Sequence, residues 1–434
     1  MLPEFLKRPS TYWFLRPIKL MMLRRMKRRK TLLLSDTTLR DGEQTPGVRL
    51  SPDDKVAIAH ALAAAGIHSI DAGFPAAAAE EREAIRRIFK EVRGPVITAH
   101  CRTLRQDIDL AAEALEGFPL FSKAVTLFIG LSPQHREHKH RMSQAEVLKT
   151  AVGAVDYARR YFNLISFGPE DTARAEPDYL HETYRETIAA GATTIGFADT
   201  VGVLTPEKAA DRIKAVQDSV PNLANALLAV HFHNDLGLAT ANALACVAEG
   251  VNVVQGTING IGERAGNTAL EEVVMALRLH HDQYGAQCDV DPSHLYELSR
   301  LVARLTGFHP TPNKAVVGDN LFITESGVHQ DGLLKNLSTY LPFLPEEVGA
   351  SPARLVLGKH SGRRAVRHCL EQHGLAPTEE QVSQVVEHLK RGPAKPLYDP
   401  EQDLDDLVHE VFPAGGPREG LGAMQPVPLR EDGR

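Results

Sequence analysis

His231 and His233 stand two residues apart in the apolar run Leu-Leu-Ala-Val-His-Phe-His-Asn-Asp at 227–235. Side chains at i and i+2 of a strand share a face, so both imidazoles can reach one divalent cation. Far upstream, Asp-Thr-Thr-Leu-Arg-Asp-Gly-Glu at 36–43 closes another apolar run and offers Asp41 as a carboxylate partner. Two imidazoles and a carboxylate suit Zn²⁺, Mn²⁺ or Mg²⁺. Arg40 cannot ligate a cation, but it can polarise a carbonyl and hold the oxyanion that forms on it. The chemistry these residues imply is metal-assisted activation of a carbonyl group.

Three further segments bear on that chemistry. Gly-Ile-Gly-Glu-Arg-Ala-Gly-Asn at 260–267 joins an apolar run to a helical pattern. Its backbone N–H groups, at Gly262, Glu263 and Gly266, can cradle an anion such as part of a nucleotide cofactor. Ser-Gly-Val-His-Gln-Asp-Gly at 326–332 places His329 in a glycine-flanked loop, from which a lid or neighbouring subunit could present it. The run Gln-His-Arg-Glu-His-Lys-His-Arg at 134–141 is dense in cations and can bind phosphate or carboxylate groups.

Positioning these groups requires a regular scaffold. Apolar runs at 32–38, 69–74, 95–101, 124–130, 163–170, 193–199, 227–234 and 253–259 alternate with helical periodicity. Ser51-Pro52 and Thr205-Pro206 read as helix starts, a cap residue followed by proline in the first turn. Eight such units predict an α/β fold of the (β/α)₈ TIM-barrel type. A doubly wound open sheet is the alternative, but no Gly-x-Gly-x-x-Gly follows the first strand. Asp36, Asp41, Asp71, His100, Glu170, Asp199, His233 and Asn259 fall at or just past strand C-termini, the end where barrel enzymes carry their chemistry. Beyond residue 290 the pattern predicts a smaller helical C-terminal appendage, with helices at 291–306, 360–373, 377–391 and 400–412. The domain division is a basic extension at 1–30, a catalytic barrel at 31–285, helical subdomains or a lid at 286–412 and a disordered tail at 413–434.

The 434 residues carry a formal charge of −6, yet residues 1–30 alone hold ten Lys/Arg against one acid. The remainder is therefore strongly acidic, which argues against nucleic acid as a partner. No stretch approaches the ~20 apolar residues of a membrane span. Cys101, Cys246, Cys288 and Cys369 are widely spaced and form no CxxC pair, so a reducing cytoplasm is the expected compartment.

With these motifs in order, the chain resembles the 2-isopropylmalate synthase and homocitrate synthase family of metal-dependent Claisen-condensing barrels, over residues 31–412. The resemblance rests on the segments 36–44, 231–237, 259–267, 326–332 and Gly-Lys-His-Ser-Gly-Arg at 358–363. It implies Asp41, His231 and His233 as metal ligands, Asn267 as an asparagine beside the metal, and Arg40 as the catalytic arginine. Thr200 corresponds to a contact for the 2-oxo acid carboxylate. Glu170, His329 and Tyr340 correspond to the group that deprotonates acetyl-CoA. The implied reaction adds the acetyl-CoA enolate to a metal-bound 2-oxo acid, then hydrolyses the thioester to a 2-substituted malate and CoA. A homodimer is the implied assembly if His329 comes from a partner chain.

The resemblance also marks departures. The chain stops where the family's leucine-binding regulatory domain would begin, so activity is expected to be insensitive to leucine. His100 stands where isopropylmalate synthases place a leucine, Gly168 replaces a serine, and Ser166 occupies the position of a homocitrate synthase arginine. Two acceptor classes follow: 2-oxoisovalerate, or an anionic acid such as 2-oxoglutarate or 3-phosphonopyruvate. A silent regulatory paralog, a lyase and a biotin-dependent carboxyltransferase are the other readings of the same barrel.

Overall fold

The structure is a computed structural model describing residues 31–119, 122–372, 374–391 and 427–428. The expected basic extension, the helix at 400–412 and all of the 413–434 tail except 427–428 lie outside the described residues. Eight parallel strands close into a barrel in sequence order. They are β1 (Leu33–Asp36), β2 (Ser69–Asp71), β3 (Val96–Arg102), β4 (Lys123–Phe128), β5 (Leu164–Phe167), β6 (Thr194–Asp199), β7 (Leu227–Phe232) and β8 (Val253–Gly256). Closure is made by β1 against β8, in a register that pairs Leu33 with Val253 and Asp36 with Gly256.

A helix follows each strand: α1 (Pro52–Ala64), α2 (Ala79–Glu91), α3 (Arg105–Ala114), α4 (Gln144–Ala158), α5 (Pro177–Ala190), α6 (Pro206–Ser219), α7 (Ala239–Ala248) and α8 (Leu270–Tyr284). The two expected starts form as read. Ser51 accepts from the Asp54 N–H in a capping box, and Thr205 accepts from the Lys208 N–H. Both satisfy orphan donors of the first turn.

Alternation along the strands divides the barrel wall into two rows. Ile165, Phe167, Ile195, Phe197, Val230 and Phe232 are almost wholly buried. Each such side chain contributes about 1.5–3 kcal/mol through burial. The alternate positions are small and often polar: Ser35, Ser69, Thr98, Thr126, Ser166 and Ala229 line a cavity of about 860 Å³. Where a TIM barrel is ordinarily filled by layers of branched side chains, this one is hollow.

One buried cation pins the loops around the mouth. Lys55, on α1, is 1% exposed and lies 2.7 Å from Glu43 and 2.5 Å from Glu81. Glu43 in turn accepts from the Leu50 N–H, and Glu81 from the Phe74 N–H. Breaking a buried ion pair from one side leaves uncompensated charge and costs about 3–5 kcal/mol. Lys55→Met is therefore expected to lose roughly 3 kcal/mol in urea-induced unfolding, whereas a change below ~0.5 kcal/mol would mean the cluster contributes nothing net.

Contacts carry the first compact unit through to His309, rather than ending it at residue 285. The reason is local. A ninth helix, α9 (Leu295–Thr306), is tied to the loop after β8, where the Asn259 side chain donates to the Ser299 carbonyl at 3.0 Å and accepts from the Ser299 hydroxyl at 2.5 Å. The second unit, Pro310–Arg434, holds α10 (Gly327–Leu333), α11 (Arg363–Gln372) and α12 (Glu379–Arg391). The expected helical appendage thus forms, and it also carries short strands. Strands β9 (Ile323–Thr324), β10 (Arg354–Leu355) and β11 (Val427–Pro428) form a small sheet. The Gln330 amide bridges it, donating to Thr324 O at 3.1 Å and Val356 O at 2.8 Å. Two-residue strands are too short to show a period. Among the described residues no helix is long and apolar enough to cross a membrane.

Candidate active site

The C-terminal end of β7 brings both imidazoles to one point, with their Nε2 atoms 3.2 Å apart. Asp41 comes from the turn after β1, with Oδ2 3.8 Å from His231 Nε2. Asn267 joins them through a backbone bridge to His233, and its Nδ2 donates to Asp41 Oδ1 at 2.8 Å. Only glycine fits at Gly262, at φ +151°, where a Cβ would run into the Asn267 amide.

The charge states suit a cation. Burial pushes the His231 imidazolium down, and His233 adds to the effect, so the ring is neutral and keeps a lone pair. Burial opposes ionisation of Asp41, but Arg40 and the two histidines together outweigh it and hold the carboxyl well below the usual range. Asn267 Oδ1 is buried with no hydrogen-bond partner among the described residues. Two neutral imidazoles and an ionised carboxylate bring ligand atoms within 4.8 Å of one another, next to an amide whose oxygen is orphaned; this donor set fits a divalent metal ion.

Arg40 bridges two carboxylates. Its Nη1 donates to Asp41 at 2.7 Å and its Nε to Asp71 at 2.9 Å. Asp71, at the end of β2, is buried, and its Oδ2 also receives the Thr37 hydroxyl at 3.3 Å. His100 Nδ1 approaches the same oxygen at 3.3 Å, and the His100 ring stacks on Phe128 with centroids 4.7 Å apart. Burial and Arg40 push the His100 imidazolium down, against the pull of Asp71. Asp71 was visible at a strand end, yet its role as the shared partner of Arg40 and His100 was missed. The contact spans strands, and spacing carries no signal for it.

Around the mouth, Thr200 lines the cavity and its hydroxyl accepts from the Asp171 N–H at 2.8 Å. Gly168 and Glu170 line it too. The cationic run forms a π-helical turn at His135–His140 whose charges are already engaged. Arg136 grips Glu176 at 2.9 and 2.7 Å, Lys139 meets Glu170 at 2.6 Å, and His140 Nε2 accepts from the Gly130 N–H. In the 260–267 loop Glu263 lines the cavity, while the Gly266 N–H is bonded inside the loop to Glu263 O at 2.9 Å. His329 and Tyr340 belong to the second unit, where both are exposed and their rings lie 4.1 Å apart.

The fold and this geometry match a known group of proteins. Residues 31–302 match the HMGL-like family model, and residues 316–395 match that of the homocitrate synthase post-HMGL domain. The chain belongs to the HMGL-like family of barrels. It is 46% identical to a 2-isopropylmalate synthase of Aquifex aeolicus over 380 residues, 87% of this chain and 72% of that protein. It is 45% identical to a 2-isopropylmalate synthase of Pyrococcus furiosus, covering 89% of this chain and 77% of the relative. Among solved structures, a hydroxymethylglutaryl-CoA lyase from Pseudomonas aeruginosa superposes with a TM-score of 0.55 at 24% identity, over 64% of this chain and 94% of the lyase. That likeness concerns the fold alone.

Proposed function

We propose that the protein condenses acetyl-CoA with a 2-oxo acid and hydrolyses the thioester, giving a 2-substituted malate and CoA. One observation carries this reading: Asp41, His231, His233 and Asn267 converge beside an arginine that already bridges two carboxylates. The relatives named 2-isopropylmalate synthase support it. When bound there, a divalent cation such as Mg²⁺, Mn²⁺ or Zn²⁺ polarises the ketone of the acceptor. Arg40 holds the negative charge that develops on the ketone oxygen, and Thr200 contacts the acceptor carboxylate. Glu170, His329 and Tyr340 are each assigned to the deprotonation of the acetyl methyl group. Gly262 and Glu263 offer backbone N–H groups to the anionic part of acetyl-CoA, with Gly266 shaping the loop. The protein works as a cytoplasmic homodimer without nucleic acid or membrane partners.

The test is release of free CoA from the full chain. CoA is expected only when acetyl-CoA, a 2-oxo acid and a divalent cation are all present, with activity lost to EDTA and restored by metal. CoA release that ignores the oxo acid, or none across a broad panel, would overturn the reading.

A further inference from the structure

The hollow barrel continues beneath the metal-ligand set, and its largely apolar lining is interrupted by a polar patch at His100, Thr126 and Ser166. His100 is the residue that meets an entering group. Its Nδ1 faces Asp71 Oδ2 at 3.3 Å, and Phe128 holds its plane. That approach is not a hydrogen bond, but a carboxylate oxygen repels a lone pair, so the nitrogen on its side is the one that carries the imidazole proton. Nε2 is then an acceptor with no protein partner among the described residues, on a ring that lines the cavity and stays 13% exposed. Two more polar groups line the same wall: the Thr126 and Ser166 hydroxyls, also without hydrogen-bond partners among the described residues. Space is left beside them. A Cβ added at Gly168 would meet only the Thr126 methyl, at an ordinary 3.6 Å, so nothing steric requires glycine there.

Resting on the condensing reading above, the geometry points to an acceptor 2-oxo acid whose side chain carries a hydroxyl group, donated to His100 Nε2 and lodged against Thr126 and Ser166. An alkyl side chain would bury those three groups unpaired, which a hydrogen-bonding site rejects far more strongly than a missing methylene. An anionic side chain would meet a lone pair backed by the Asp71 carboxylate. Two cations of the adjoining turn that could have compensated it, Lys139 and Arg136, are engaged by Glu170 and Glu176.

Matched acceptors test this. The full chain with Mg²⁺ and acetyl-CoA is assayed for CoA release on 2-oxopentanoate, 5-hydroxy-2-oxopentanoate and 2-oxoglutarate. The corresponding four-carbon set and 2-oxoisovalerate complete the panel. The expected result is a kcat/KM at least about tenfold higher for a hydroxylated acid than for its alkyl and anionic counterparts. His100→Leu is expected to collapse that ratio, and His100→Gln, which can still accept a hydrogen bond, to keep part of it. The wild-type ratios and His100→Gln decide the matter if His100→Leu does not fold. Preference for 2-oxoisovalerate or for an anionic acid would overturn the inference while leaving the condensing activity standing. CoA release with no acceptor at all would overturn both.

Discussion

Arg40→Lys is expected to lower kcat for CoA release by about 10²–10³-fold, some 3–4 kcal/mol of barrier. The metal content should stay close to that of the unaltered protein. The argument is geometric. Arg40 spends Nη1 on Asp41 and Nε on Asp71, so its plane is fixed before any substrate arrives. Lysine keeps the charge but has a single nitrogen and cannot span both carboxylates. A preset charge costs no reorganisation in the transition state, whereas a mobile ammonium must be reoriented each turnover. A loss of less than tenfold, with the fold intact, would show that Arg40 serves the carboxylates rather than the reacting oxygen.

The second large effect concerns the cation. His233→Ala is expected to reduce bound metal, measured by elemental analysis after gel filtration, to a small fraction of one per chain. CoA release should fall by about three orders of magnitude or more, as when three-ligand metal chemistry loses a ligand. The variant should nonetheless fold. His233 contributes no hydrogen bond from Nδ1, and its Nε2 meets only His231 among the described residues. Removing one of two crowded imidazoles relieves a buried polar contact, so the metal-free variant should unfold no earlier than the metal-free parent. Full metal content in His233→Ala would remove the histidine from the ligand set.

Much of this arrangement was legible because it is written in local patterns. Eight apolar runs alternate with stretches of helical periodicity, so strands and their order could be read directly, and Ser51-Pro52 and Thr205-Pro206 marked helix starts. The i, i+2 histidines needed only strand geometry to become a pair. What stayed hidden was everything set by partners distant in sequence. The 134–141 run read as free cation density, because nothing there reveals that Glu176, forty residues beyond Arg136, closes on it. Asp71 could be placed at a strand end, but its grip on Arg40 depends on how β1 and β2 stand side by side. Lys55 carried no signal in the sequence; its burial follows from two carboxylates, one before it and one after. The two-residue strands of the second unit fall below any period.

Asp41 and Asn267 are hydrogen-bonded across 226 residues, one following the first strand and the other following the last. The candidate cation site is thus a clasp that exists only once the ring has joined. A chain emerging during synthesis cannot assemble the full donor set until the eighth strand and the loop beyond it are available. Contacts of such sequence separation are also the slowest to form. Uptake of metal at this candidate site would therefore report closure of the barrel itself, and would offer a calorimetric clock for the last step of its folding.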